Sequence, residues 1–347
     1  MRAREPSWWY GSAEDPRTRW LAPLGHLYGT IAERRYRRTT PYRAAPAVIC
    51  IGNFTAGGTG KTPLSLLVAE HLKEMGARPV FLTRGYGGTI RTPTFIDPER
   101  HTADDCGDEP LLLARAAPVI VARDRAAGAR LAEADARRFD AIVMDDGLQN
   151  ATLAKRLTLA VMDGARGVGN GEVIPAGPLR AELEFQLALT DAIIVNGGPA
   201  DPAPDSASVL ARLRRGFAGP VLSARPEAVG DTAWLDGTPV AAFAAIGNPE
   251  RFFALLRTLG ADVRIAHAFP DHHVYTAAQA RTLLDAARVQ GLQLVTTEKD
   301  WVRLPRGEGP MRELKERVRT LPIRLVFEER EMLRLKALIE SALAAPG

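Results

Sequence analysis

Residues 48–66 read V-I-C-I-G-N-F-T-A-G-G-T-G-K-T-P-L-S-L. A short apolar run ends in a glycine-rich turn closing on Gly60-Lys61-Thr62, and Leu64, Leu67, Val68 and Leu72 then recur at helical spacing. The order is strand, phosphate loop, helix. Backbone N–H groups of such a turn converge on an anion, and the N-terminus of the following helix adds partial positive charge. Thr55, Ala56, Gly57, Gly58, Thr59, Gly60, Lys61 and Thr62 are therefore expected to cradle the phosphates of ATP. Lys61 neutralises β/γ-phosphate charge there, and the Thr62 hydroxyl serves Mg²⁺. The strict pattern G-x-x-x-x-G-K-[ST] wants glycine where this chain has Thr55, but Gly57 and Gly58 remain to supply positive φ.

Around this stretch, 347 residues suffice for two lobes, since single cores stop growing near ~250–300 residues. The expected division is an N-terminal helical segment (1–43), a phosphate-loop core (44–235) and a smaller α/β lobe (236–347). Two cysteines, Cys50 and Cys106, give neither a disulfide framework nor a zinc spacing and fit a reducing, cytoplasmic setting. The net charge of +4 is uneven: residues 1–43 hold nine Arg against four acids, or +5, which leaves −1 for the rest. The same segment holds seven of the chain's eleven Trp and Tyr residues.

From Trp20 onward, the spacing Trp20, Leu24, Leu27, Tyr28, Ile31 predicts an amphipathic helix with Pro23 in its first turn and Arg34, Arg35, Arg37 and Arg38 after its end. Apolar face, aromatic belt and arginine flank describe a helix lying in an anionic membrane interface. The competing reading is a helix docked on the protein's own core. No run reaches the ~18 apolar residues of a spanning helix, and neither a secretory signal nor a nucleic-acid-binding module is recognisable.

Further along, strands are expected at 79–83, 119–122, 141–145, 157–162 and 192–195, with a helix at 125–138. The 79–83 strand runs into Arg84-Gly85-Tyr86-Gly87-Gly88, a position where α/β sheets bind ligands. Asp108 and Glu109 begin a short helix, so capping accounts for them locally. A metal cluster of His101, Asp104, Asp105 and Cys106 matches no standard spacing. The 141–145 strand ends in Asp145-Asp146, an apolar strand with terminal acids suited to Mg²⁺. Residues 164–179 form a glycine-rich working loop and 199–208 a linker rich in Pro, Ala and Asp. In the last third, strands at 240–245, 263–268, 292–296 and 323–327 alternate with helices at 249–259, 276–290 and 328–344. His272 and His273 lie after a strand, where either a surface turn or an acid/base group fits.

The sum is a Mg·ATP-binding α/β protein with a basic, aromatic N-terminal membrane contact. A kinase for a membrane-embedded acceptor competes with a membrane-associated P-loop ATPase or GTPase acting as a switch or partitioning protein. Asp145-Asp146-Gly147 is not D-x-x-G and Thr297-Glu298-Lys299-Asp300 is not [NT]-K-x-D, which weakens the GTPase form.

Gly52-Asn53 with T-A-G-G-T-G-K-T-P, then R-G-Y-G-G (84–88), G-D-E-P (107–110), D-D-G-L-Q (145–149), P-A-G-P-L-R (175–180), G-N-P-E-R-F (247–252), F-P-D-H-H-V-Y (269–275) and T-E-K-D (297–300) occur in one order. Together they resemble the tetraacyldisaccharide 4′-kinase family of Gram-negative lipid A biosynthesis, which shares the missing first glycine. Asn150 departs from it, standing where His is common. The resemblance implies a P-loop NTPase-type parallel sheet and transfer of the γ-phosphoryl of ATP to the 4′-hydroxyl of an acylated glucosamine disaccharide 1-phosphate, giving lipid IVA. It implies a peripheral enzyme on the cytoplasmic face of the inner membrane. By motif, Lys61 contacts phosphate, Thr62, Asp145 and Asp146 serve Mg²⁺, and Asp108 with His272 assists deprotonation. Arg84, Tyr86 and Glu109 are the expected substrate contacts; neither nucleic acid nor a protein partner is expected.

Overall fold

The computed structural model describes residues 5–12, 14–197, 213, 216–304 and 308–344. The linker expected at 199–208 lies outside them. The larger lobe includes eight strands and two of its helices in the order β1 (Ala47–Asn53), α2 (Lys61–Glu74), β2 (Pro79–Thr83), β3 (Thr94–Phe95), β4 (Val119–Val121), α5 (Arg125–Glu133), β5 (Ala141–Asp145), β6 (Leu157–Asp163), β7 (Ala192–Asn196) and β8 (Val221–Ala228). Preceding or interleaved with these are α1 (Pro16–Arg38), α3 (Ala103–Cys106), α4 (Asp108–Leu113) and α6 (Leu183–Ala188).

The central strands are buried throughout, as parallel strands covered on both faces must be, and this is why they read as unbroken apolar runs. The large sheet, which β13 (Ile323–Phe327) joins at one edge, has the order β13-β8-β7-β6-β1-β5-β2-β4-β3. Neighbours from β8 to β4 are parallel, and the two edges are antiparallel. β1 pairs with β5 on one side and β6 on the other, so connections diverge around its carboxyl end. That divergence opens the crevice where α/β sheets bind ligands, and the phosphate loop leaves β1 there.

The smaller lobe is a four-stranded parallel sheet of order β10-β9-β11-β12, from β9 (Pro239–Ala244), β10 (Asp262–Ala268), β11 (Gln293–Thr297) and β12 (Arg319–Leu321). Its helices are α7 (Pro249–Thr258), α8 (Ala277–Gln290), α9 (Glu298–Arg303) and α10 (Pro310–Arg317). Here the chain departs from its sequence reading. β13 (Ile323–Phe327), expected as the fourth strand of this lobe, instead pairs antiparallel with β8 of the large sheet. α11 (Glu329–Ala344) follows it, and Leu325, Phe327, Leu335 and Ile339 join the core that α2 covers. The apolar face of a terminal helix does not specify which sheet it meets; β12 fills the fourth position instead.

Two helix ends also differ from expectation. α1 begins at Pro16, capped by the Asp15 carboxylate accepting from the Arg17 N–H at 2.8 Å, so Pro23 falls inside the helix and not in its first turn. α5 stops at Glu133, and Arg138, inside the expected span, has φ 52°. α1 docks through its small residues: a Cβ on Gly25 would lie 2.6 Å from the Val173 carbonyl oxygen, and Gly29 faces Glu182. Its large apolar residues point away, Trp20 being 84% exposed and Leu24, Leu27, Tyr28 and Ile31 all more than half exposed. The core-docked reading of this apolar face is thereby overturned.

Gly52, at the carboxyl end of β1, packs directly under Leu148, whose backbone nitrogen would lie 2.9 Å from an added Cβ. Gly52→Ala is expected to cost about 1–3 kcal/mol of overpacking. It should appear as a lower denaturant midpoint with an unchanged m-value.

Candidate active site

The phosphate loop is held from both flanks. Asn53 Nδ2 donates to the carbonyls of Thr55 (2.8 Å) and Gly57 (3.2 Å), and Asn196 Nδ2, at the end of β7, donates to that of Thr59 (2.8 Å). From the glycine-rich loop after β6, Arg180 Nε donates to the Thr55 carbonyl at 3.1 Å and the Pro178 carbonyl accepts from Ala56 N at 2.7 Å. With those carbonyls tied down, amide N–H groups are what the loop offers to an anion. Gly57 (φ 91°) and Gly60 (φ 97°) take the left-handed conformations. Thr55 makes an antiparallel bridge to Leu179 and is not among the described residues of positive φ, so its position needs no glycine.

The paired acids after β5 have separate roles. Asp145 is fully buried; one oxygen accepts from Ser65 Oγ at 3.0 Å and Oδ2 has no partner among the described residues. Burial first, then the neighbouring charge of Glu109, pushes its pKa up to about 7, with Lys61 opposing. Asp146 (φ 55°) accepts from Arg180 Nη1 at 2.9 and 3.1 Å and lies 3.5 Å from Lys61 Nζ. Burial raises its pKa, but Lys61 and Arg180 outweigh that and hold it far below the usual carboxylate range. An unpaired buried carboxylate oxygen beside a phosphate loop suits a cation. Among the described residues no three His, Cys, Asp or Glu side chains gather to hold a metal. A site of one carboxylate, the Thr62 hydroxyl and phosphate oxygens fits Mg²⁺, which keeps water and phosphate ligands. Asp146, expected as a second ligand, is committed to Arg180 and Lys61.

Across the crevice a second cluster joins the lobes. Asp108 is not a capping residue: the N-cap of α4 is Gly107, without a side-chain bond, and the Asp108 carboxylate turns toward the smaller lobe. Its Oδ2 accepts from Arg303 Nε at 2.7 Å and from Nη2, and lies 3.3 Å from His272 Nδ1. Lys299 Nζ sits 3.1 Å from Glu109 and 3.9 Å from Asp108. Burial raises the Asp108 pKa, but the charges of Lys299, Arg303 and His272 reverse this and hold it far below the usual range. Arg303 Nη1 also reaches Asp300 at 3.0 Å and the Ala245 carbonyl at 2.5 Å. Asp300 in turn accepts from the Ala245 N–H, the Tyr275 hydroxyl and the Thr297 hydroxyl. The T-E-K-D stretch thus fixes both flanks of the His272 loop. His272 has φ 57° in a turn, donates its backbone N–H to the Ala245 carbonyl, and its part-buried ring faces Asp108.

Tyr86 lies edge-on to His272, ring centroids 5.7 Å apart, and both line a cavity of about 450 Å³ with Asp108, Trp301 and Arg303. Gly85, Gly88 and Gly107 allow the R-G-Y-G-G loop to meet residues 105–107 backbone to backbone. Arg84 is exposed, and its charge acts on Arg125. The residues 101–106 form no metal cluster: Asp105 caps α3 through Thr102, and the His101 ring accepts from Asp97 N. Sequence reasoning missed Arg303, Lys299 and Arg180 as functional residues. For Arg303 one signal was present, its i+3 spacing from Asp300 on α9.

Arg303→Ala removes the guanidinium shared by two buried carboxylates and is expected to cost about 3–5 kcal/mol by denaturant unfolding. The pH dependence has a definite sign. Because the folded-state pKa of Asp108 is depressed, its stabilisation is present above the ordinary carboxylate pKa and is lost as pH falls below it. The stability gap between the native chain and Asp108→Asn should therefore narrow on acidification below about pH 4.

Residues 17–343 match the model of the tetraacyldisaccharide-1-P 4′-kinase family. The chain is 50% identical to the tetraacyldisaccharide 4′-kinase of Methylobacterium nodulans, over 99% of this chain and 96% of that protein. Identity to the protein of the same name from Nitrobacter winogradskyi is 47%, over 95% of this chain and 96% of the relative. A crystal structure described as the "apo" form of LpxK from Aquifex aeolicus in complex with ATP superposes with a TM-score of 0.74 at 24% identity, over 94% of this chain and 99% of the other, and so shares its fold. By family model and sequence identity, the chain belongs to the tetraacyldisaccharide-1-P 4′-kinase family.

Proposed function

We propose that the chain transfers the γ-phosphoryl of ATP to the 4′-hydroxyl of a tetraacylated glucosamine disaccharide 1-phosphate, the lipid IVA-forming step of lipid A biosynthesis. The observation that carries this reading is the meeting of two half-sites. The phosphate loop and Asp108 come from the larger lobe, and His272 with Arg303 comes from the smaller one. Near the loop, the smaller lobe's Gly247 stands against Gly58 and Asp271.

The loop amides and Lys61 bind the β- and γ-phosphates, with Lys61 exchanging its Asp146 contact for phosphate oxygen. Asp145 and Thr62 hold Mg²⁺, which when bound neutralises charge on the transferring group. Asp108 and His272 share one Oδ2···Nδ1 contact at 3.3 Å and act as a coupled pair on the acceptor hydroxyl. Nε2, the ring nitrogen away from Asp108, lies 3.8 Å from the Asp271 carboxylate and is the one left to serve that hydroxyl. Arg303 and Lys299 keep Asp108 ionised, so it orients the imidazole and stabilises the proton that the imidazole accepts. Tyr86 and Glu109 border the acceptor. A loose phosphoryl-transfer transition state asks for alignment and charge neutralisation more than for a strong base. The exposed face of α1 rests in the anionic cytoplasmic leaflet of the inner membrane, where the acylated acceptor is presented. No described helix is long and apolar enough to cross a membrane.

With γ-labelled ATP, Mg²⁺ and the acyl disaccharide 1-phosphate, the label is expected in the lipid; free phosphate with unlabelled lipid would favour an ATPase switch. Lys61→Ala and Asp145→Ala should each lower transfer by about 10²-fold or more, at least as much as His272→Ala. Leu24→Glu together with Leu27→Glu should abolish co-sedimentation with anionic vesicles while leaving the melting temperature unchanged, because both side chains are exposed.

A further inference from the structure

The segment preceding α1 is fastened to the nucleotide site by a carboxylate. Glu5 Oε2 accepts from the Tyr10 hydroxyl at 2.8 Å and from Arg166 Nη1 at 3.3 Å. Oε1 lies so close over Gly57 that a Cβ there would overlap it. The segment is anchored at further points: Trp9 Nε1 donates to the Pro175 carbonyl at 3.1 Å, and the Trp9 carbonyl accepts from Asn170 N at 2.8 Å. Both acceptor and donor belong to the loop whose Pro178 and Arg180 hold the phosphate loop. Arg166 also stacks over the Tyr10 ring, 4.8 Å from its centroid.

Two features make this contact more than packing. A glycine-rich loop that presents amides attracts anions, and the Glu5 carboxylate lies over the side of Gly57 where a Cβ would stand. A carboxylate there also opposes a triphosphate by like charge, while it holds Arg166 in an ion pair. We propose that Glu5 is an internal occupant of the phosphate loop's outer rim. Mg·ATP must displace it, and Arg166, once released, turns to the nucleotide's terminal phosphates. This rests on the reading of the loop as the ATP site. Glu5 is then a brake on nucleotide binding, and Arg166 a phosphate contact held in reserve.

The test is equilibrium binding of a non-hydrolysable ATP analogue and of AMP, with Mg²⁺, to the full chain and its variants. Glu5→Gln keeps the side chain's shape and a group able to accept from Tyr10, but removes its charge. It is expected to bind the ATP analogue roughly threefold to tenfold tighter, the scale of a partly exposed ion pair, with AMP affinity unchanged. Tyr10→Phe, which loosens Glu5, should shift in the same direction by less. Arg166→Ala should weaken the ATP analogue and spare AMP. Equal or weaker binding by Glu5→Gln, or an equal gain for AMP, overturns the proposal. A native chain that binds no ATP analogue at all instead overturns the assignment of the loop. Unchanged melting temperatures confirm that the variants are folded.

Discussion

One guanidinium holds the two halves of the site together. Arg303 spends Nε and Nη2 on Asp108 and Nη1 on Asp300 and the Ala245 carbonyl. Taking these charges out of water is costly, and a buried pair is tolerated only where further hydrogen bonds complete it. Here they do: Asp300 is completed by the Ala245 N–H, Tyr275 and Thr297, and Asp108 by His272 and Lys299. Once that network forms, the ends of β9 and β11, the His272 loop and the start of α4 are fixed relative to one another. The relative position of the Asp108–His272 pair and the phosphate loop follows from it.

The phosphate side is built on a different constraint. β1 lies between strands that lead to opposite ends of the sheet, and its loop is clamped by side chains from β7 and from the loop after β6. The same clamp places Asp146 between Lys61 and Arg180, which leaves Asp145 as the acid with an oxygen unpartnered among the described residues. Two adjacent carboxylates are driven apart in pKa by their surroundings, one raised and one lowered. Such divergence is how neighbouring acids acquire separate functions.

Local patterns made the core of the larger lobe legible. Strands buried on both faces announce themselves as unbroken apolar runs, and Gly60-Lys61-Thr62 before a helix marks the phosphate loop. Other features depend on residues distant in sequence. Asp108 looks like a cap because α4 begins there; its real partner, Arg303, is 195 positions away. β13 looks like a fourth strand of the small sheet because it follows that lobe in order, while its hydrogen bonds run to β8. The start of α1 was readable and missed: Asp15-Pro16 is a cap followed by a first-turn proline. Its exposed face follows from Gly25 and Gly29, which bring the opposite side against residues 173 and 182.

The most direct measurement of whether the lobe-joining network creates the catalytic centre is a double-mutant cycle on single-turnover phosphoryl transfer, using Asp108→Asn and Arg303→Lys with the affinity for Mg·ATP measured in parallel. Residues that act as one unit give non-additive losses. The double variant should therefore transfer no more slowly than the worse single variant, with ATP affinity unchanged in all three. Losses that multiply, or an Arg303→Lys defect carried wholly by weaker ATP binding, would contradict the network's role.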